Sequence, residues 1–442
     1  MTDLDVAVVG AGIAGLTTAY RLSQQGLTVD VLESESEPGG RMRCGRIDGY
    51  TIDRGAETLA PYGYPATWEL IRELGLEPEV HRIRHPVALW HGGRAHPWMG
   101  HPLSVLNRAG LSTRGWLAMA RLMAPIARHP RQVVPERPES TPYGDLTLAD
   151  IGRQHGEELV DRMLEPIAAS AFGWLPEESA VAPLMAMIAA TRGIWRWRTY
   201  RQGQDTMTRA LADRVDVHLS KRVQLVKRDG DGARIELADG TLLSARAVVL
   251  AVPAPQVLDL HPDAPDEERP YLRACTFTSV MRVACLLDRP LEPVRRRFGP
   301  RLYAALLATG ESPLLVGCTV EHNKCPERAP AGRGLVSLLI SPRRVPELID
   351  LPDEQVVRAV VAEGERLVPG LGDAMVGHDV VRWRHALPAA PPAALRLRGD
   401  FVRRPLQPIE YAGDWLYLRP SSEAATASAR LAVPRIRQLL AG

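Results

Sequence analysis

The sequence predicts an α/β fold that opens on a parallel strand–helix–strand unit. Three observations predict it. A short β-branched run leads straight into a glycine-rich turn. A helical stretch and a second strand follow, with an acid at that strand's end. The chain of 442 residues is longer than one core organises, so two or three folding units are expected.

Asp5-Val-Ala-Val-Val9 is short and nearly continuous in apolar character, the pattern of a strand buried on both faces. Gly10-Ala-Gly12-Ile-Ala14-Gly15 follows, then a helical stretch from Leu16 to Gln25 that Gly26 stops. Leu27 to Leu32 is the second strand, and Glu33 stands 18 residues past Gly15. Gly10 permits the tight turn, Gly12 and Ala14 keep the approach to a pyrophosphate open, and Gly15 lets helix and strand pack closely. The helix N-terminus offers free N–H groups to phosphate, and an acid at that distance accepts hydrogen bonds from a ribose diol. This is a Rossmann-type dinucleotide site. Past the acid, Gly39-Gly40-Arg41 adds a second close backbone approach and a cation. Such an addition suits a longer cofactor, FAD, whose pyrophosphate and ribityl chain run past that loop.

Composition narrows the rest. The apolar fraction of 45% supports a real core, and a net charge of +2 argues against nucleic acid as a partner. Cys44, Cys275, Cys285, Cys318 and Cys325 include no C-x-x-C pair, so neither a zinc site nor a disulfide framework is expected, and a reducing, cytoplasmic setting is. The apolar run Val6 to Tyr20 follows acids rather than basic residues and is interrupted by glycines, which reads against a signal peptide or a membrane span.

Glu33-x(5)-Gly39-Gly40-Arg41 after such an opening resembles the flavoprotein superfamily of amine oxidases, porphyrinogen oxidases and phytoene desaturases. The resemblance runs the length of the chain. Asp53-Arg54-Gly55-Ala56 resembles the segment beside the flavin ring, and Ala247 to Pro253 the strand that returns to the nucleotide domain. Gly413-Asp414 resembles the late motif whose aspartate holds the ribityl chain and phosphate. Ser422-Glu423-Ala424 resembles the start of a final helix, reaching about Leu440, that points at the flavin's pyrimidine end; the family has glycine where Ala424 stands. Val223, within a strand from Asp216 to Val226, matches the valine whose backbone pairs with adenine.

The fold class implied is α/β, a discontinuous Rossmann-type FAD-binding domain with an inserted α+β substrate domain. The first takes residues 1–80, 202–262 and 398–442, and the second 81–201 and 263–397. Asp229-Gly230 and Asp239-Gly240 are hairpin signals, and Pro388 to Ala394 reads as a rigid extended connector. Leu103 to Val134 reads as mostly helical and basic; its apolar stripe, broken by Pro125 and Pro130, favours an ordinary domain helix over contact with a membrane surface. Alternating Trp and Arg from Arg192 to Arg201 fit either a pocket wall for a flat or acidic molecule or a stabilising edge strand.

Within the superfamily, Arg72-Glu-Leu-Gly75-Leu, the Arg328-Ala-Pro330-Ala-Gly332 segment and Arg382-Trp383-x-x-Ala386-Leu-Pro388 resemble the porphyrinogen-oxidase branch. Arg282 stands where amine oxidases carry a lysine, and Gln204 where the family has a small turn beside the flavin. Both are candidate pocket contacts. The implied activity is dehydrogenation of a C–C or C–N bond of a small organic substrate by hydride transfer to flavin N5, with dioxygen or a quinone as acceptor. An amine oxidase with an altered pocket, and a flavin-binding protein without redox turnover, stand as alternatives.

Overall fold

β1 (Leu4–Val9) is buried along nearly its whole length, α1 (Ile13–Ser23) packs beside it, and β2 (Val29–Leu32) returns parallel to it with Val31 beside Val8. The computed structural model describes residues 4–101, 110–193, 196–295 and 299–441. β3 (Cys44–Ile47) and β4 (Tyr50–Asp53) make a hairpin, and α2 (Pro65–Glu73) follows. Then come β5 (Val80–Arg82), β6 (Val87–His91), β7 (Arg94–Pro97), β8 (Arg198–Tyr200), β9 (Asp216–His218), β10 (Val223–Asp229), β11 (Gly232–Leu237) and β12 (Leu242–Leu250). The later strands are β13 (Phe277–Leu287), β14 (Ala304–Leu307), β15 (Leu315–Val320), β16 (Gly334–Ile340), β17 (Met375–Pro388) and β18 (Ile409–Tyr411).

Two large sheets result. The first has the order β10-β11-β12-β1-β2-β9, with β18 also on β12. Its parallel centre is β1, β2 and the second half of β12, whose Val248, Val249 and Leu250 are fully buried beside Ala7, Val8 and Val9. The second sheet has the order β17-β13-β16-β15-β14-β6-β7 and is antiparallel except where β6 meets β14. Between β7 and β8 the chain forms helices including Thr113–Arg128, Leu148–His155, Glu165–Phe172 and Val181–Thr191.

Several elements differ from the sequence reading. The stretch 216–226 is two strands, not one: Ser220 turns the chain at φ 56°, so β9 lies parallel to β2 while β10 pairs antiparallel with β11. The connector is shorter than expected, because the helix Pro392–Val402 begins inside it; proline at the first helical turn loses no hydrogen bond. The basic helix runs through Pro125 but stops at Arg128, short of the expected Val134, and only a single tight turn follows at Pro130–Gln132. Trp116, Met119, Met123 and Ile126 of that helix pack against the main core, and its expected beginning at Leu103 lies outside the described residues. The Trp/Arg stretch is no continuous strand: Arg192 adopts φ 55°, β8 covers only Arg198–Tyr200, and Trp195 lies outside the described residues. The final helix is broken into Ser422–Ala427 and Ala429–Ala441. At the break, the Ser428 hydroxyl donates to the Ala425 carbonyl (2.6 Å) and accepts from the Gly413 N–H (3.0 Å), a side-chain competition that bends helices.

Among the described residues, no helix is long and apolar enough to cross a membrane, and no group of three or more His, Cys, Asp or Glu side chains could hold a metal ion.

Candidate active site

A cavity of about 880 Å³ runs from the C-terminal ends of β1, β2 and β12 to the face of the second sheet. Its volume is near the upper end of the roughly 300–1,000 Å³ typical of small-molecule and cofactor sites. At one end it is walled by Gly10, Gly12, Ala14 and Glu33. Gly12 caps α1 without any side-chain hydrogen bond to the helix's first N–H groups, which leaves donors for phosphate. Gly15 does not line the cavity. A Cβ there would stand 2.0 Å from the Gly10 carbonyl oxygen, so the residue fixes how closely helix and turn approach. Glu33 is held by N–H groups of Ala11 (2.7 Å) and Glu35 (3.0 Å). The Ser34 hydroxyl donates to the same oxygen as the Glu35 N–H (3.2 Å), so it is the oxygen facing Ala11 that keeps a lone pair for a diol. Val223, the first residue of β10, lines the same end.

The middle of the cavity is tied by Arg41. Its guanidinium donates two hydrogen bonds of 2.9 Å to Asp414 and one of 2.8 Å to the Ala386 carbonyl. Gly39, Gly40, Ala56 and Gly413 line this part with them. Gly55 lines it too, and a Cβ there would stand 1.9 Å from the Arg41 carbonyl oxygen, so only glycine lets the two cofactor loops touch. Ser422 lines the cavity, but Glu423 and Ala424 do not. The Ala424 N–H is taken by the Ser421 hydroxyl (3.1 Å), and the Glu423 carboxylate accepts from the N–H groups of Ala66 (3.0 Å) and Thr67 (2.8 Å) at the start of α2. Sequence reading placed both against the flavin; packing of the last helices against α2 uses them instead.

At the far end Arg282, on β13, lines the cavity and is ion-paired with Glu57. The Tyr303 hydroxyl donates to the same carboxylate at 2.9 Å. Gln204 is corrected: it does not line the cavity, and its amide donates to the Glu57 carbonyl (2.7 Å) and the Thr199 hydroxyl (3.1 Å). It therefore fixes the loop that presents Glu57. Behind that loop is a buried ionic cluster. Asp53 accepts from Lys324 (2.8 Å) and the Gln204 N–H (2.9 Å) and is ion-paired with Arg328 (3.0 Å), whose hydrogen bonds go to the Thr199 hydroxyl and the Tyr200 carbonyl; Lys324 also pairs with Glu321.

The cluster sets the charges. Burial pushes the Asp53 carboxyl up, but Arg328 and Lys324 together outweigh it and hold the group well below the usual carboxylate range. Burial pushes the Lys324 ammonium down, and Asp53 and Glu321 more than reverse that, so it stays charged. Glu57 goes the other way. Burial first and the Glu321 charge second raise its carboxyl, against Lys324 and Arg282. Burial also raises the Tyr303 hydroxyl well above its ordinary value. Glu57, Tyr303 and Lys324 were missed from sequence. Glu57 directly follows Gly55-Ala56, and Lys324 precedes the Cys325-Pro-Glu-Arg328 segment, but Tyr303 carries no local signal.

A turn that leaves helix donors free, an acid at the ribose position and a long cavity crossing two glycine loops fit FAD. Together, fold and site define an FAD-dependent oxidoreductase. The chain belongs to the flavin-containing amine oxidoreductase family, whose model matches residues 13–437, and it is an FAD-dependent oxidase. Coproporphyrinogen III oxidase of Propionibacterium freudenreichii is 25% identical over 460 aligned residues, covering 87% of this chain and 81% of that protein. Coproporphyrinogen III oxidase of Mycobacterium bovis is 27% identical over 453, covering 94% of each. Among solved structures, cyclohexylamine oxidase of Brevibacterium oxydans superposes with a TM-score of 0.77 at 18% identity, covering 99% of this chain and 100% of that one; this likeness shows the fold.

Proposed function

We propose that the protein dehydrogenates a C–C or C–N bond of a bulky, largely apolar organic substrate, in the manner of porphyrinogen oxidases. In this reading residues 81–201 and 263–397 form the substrate unit. The observation that carries it is the far end of the cavity. Ile167, Leu184, Met187, Ile188 and Leu306 line it, and the carboxylate of Glu57 there is already paired with Arg282. A substrate ammonium gains little from an anion that is already neutralised, whereas the apolar body of a bulky ring system gains from desolvated walls. The two coproporphyrinogen III oxidase relatives point the same way.

The bound flavin supplies a two-electron acceptor at N5. The protein's own residues bind, orient and exclude water. Arg41 and Asp414 lock the two cofactor loops together, Gln204 fixes the Glu57 loop, and the helices 165–172 and 181–191 cover the substrate end. Such positioning supplies much of the barrier reduction when the donor carbon is held close to its acceptor.

The test is anaerobic mixing of the FAD-loaded enzyme with freshly reduced coproporphyrinogen, following flavin absorption. Bleaching, then porphyrin fluorescence when air is admitted, is the expected result. A flavin bleached only by amines, with release of ammonia and aldehyde, would replace this reading with an amine oxidase of altered pocket.

A further inference from the structure

We propose that Glu57 is a catalytic residue: it takes the proton from an N–H of the substrate as the neighbouring carbon gives up hydride, while Tyr303 and Arg282 position its carboxylate. The proposal rests on the dehydrogenation reading above and names the group that reading leaves unassigned.

The geometry singles out Glu57. Its side chain is 18% exposed while that of Arg282 is 5% exposed, and Glu57 lines the cavity. Arg282 pairs with one carboxylate oxygen and the Tyr303 hydroxyl donates to the other, so each oxygen keeps a lone pair for a substrate N–H. The other buried ionisable groups nearby are committed elsewhere. Lys324 has no exposed side-chain surface and is held between Asp53 and Glu321. The Thr319 hydroxyl donates to Glu321 at 2.6 Å, and Glu321 does not line the cavity. Arg282 and Tyr303 act as donors to Glu57 and offer no competing acceptor there. His385 lines the cavity too, but it precedes Ala386, whose carbonyl binds Arg41, and so belongs to the cofactor's side. Burial and the Glu321 charge raise the Glu57 carboxyl, against Lys324 and Arg282; a base is most effective when raised toward the working pH.

The step balances. The C–H bond breaks and its electron pair leaves as hydride to the bound flavin. The N–H pair closes the new C=N bond, or a conjugated double bond where N–H and C–H lie further apart in one ring system. The N–H proton goes to Glu57. Dioxygen then takes the two electrons, the hydride's proton and the proton held by Glu57, and leaves as hydrogen peroxide.

The experiment compares the FAD-loaded wild type with Glu57→Gln and Tyr303→Phe, each checked for flavin content and visible spectrum. Flavin bleaching by coproporphyrinogen and by a panel of primary and secondary amines is followed anaerobically against pH. In the wild type, bleaching slows as pH falls through the Glu57 titration. Glu57→Gln slows it about 10²–10⁴-fold and removes that acid limb. Tyr303→Phe moves the limb to higher pH, because the carboxylate loses a donor that favours its charged form. A glutamic-acid carbonyl band in the infrared spectrum of the substrate-free enzyme titrates with the same midpoint and is missing from Glu57→Gln. Bleaching of Glu57→Gln at the wild-type rate with its acid limb intact, or a limb unmoved in Tyr303→Phe, overturns the proposal and leaves the dehydrogenation reading standing. A wild type bleached by none of these substrates overturns the reading, and the proposal with it. If Glu57→Gln fails to retain FAD, the Tyr303→Phe limb and the wild-type band decide: both behaving as stated supports the proposal, and either failing overturns it.

Discussion

Gly15 has no room for even a methyl group against the Gly10 carbonyl. Gly15→Ala must push α1 off the turn, and overpacking of this kind costs about 1–3 kcal/mol. Because the displaced helix is the phosphate-binding one, the expected outcome is protein purified with little bound flavin and a lowered melting temperature. Retention of a full complement of FAD at the wild-type melting temperature would count against this account of the turn. Residues of this kind were legible in the sequence because their meaning is local: a tight turn needs glycine whatever else the chain does. Glu57 was not. Its partner Arg282 stands 225 positions away, and Tyr303 reaches it across 246. Nothing in the segment around Ala56 distinguishes a carboxylate facing a cavity from one facing water.

Helix ends show the same division. α2 begins at Pro65 with no side-chain cap of its own; the Glu423 carboxylate closes its first two free N–H groups from the other end of the chain. Glu423→Ala removes both bonds and a negative charge at a helix N-terminus, a loss of about 1–2 kcal/mol, read as a lowered urea midpoint. Glu423→Gln keeps an acceptor and should lose less; equal losses for both variants would argue that the charge matters and the acceptor does not. From sequence, Glu423 reads as part of the motif before the last helix, since the motif is visible and α2 as its partner is not. The strand–turn–helix opening, the two hairpin turns and the return strand at Ala247 were legible as elements. The breaks at Ser220 and Ser428 were not, because each is decided by what the chain packs against.

At the scale of the whole molecule, the Asp53 cluster joins the hairpin β3–β4, the loop at Gln204 and the segment Glu321–Arg328. With its native carboxyl held below the unfolded value near ~3.9 by Arg328 and Lys324, against burial, Asp53 contributes stability that is fully present above that value. The contribution is lost as pH falls through the native titration. Glu57, raised in the folded state, works in the opposite sense. Asp53→Asn leaves two buried cations short of their partner and should cost about 3–5 kcal/mol near neutral pH. It should also flatten the acid limb of the stability curve, measured by denaturant unfolding from pH 7 downward. An unchanged acid limb would show that the cluster does not couple to folding.

The first sheet also dictates an order of events during synthesis. β1 lies between β2 and β12, and the residue that pairs with Val6 on the β12 side is Ala247. At roughly 5–20 residues per second, a ribosome needs on the order of 10–50 s to travel from one to the other. Throughout that interval the nascent chain carries an apolar strand with one edge open, the kind of surface that templates aggregation. Slowing translation between β1 and residue 250 should therefore lower soluble yield more than slowing it afterwards, measured as the soluble fraction on expression.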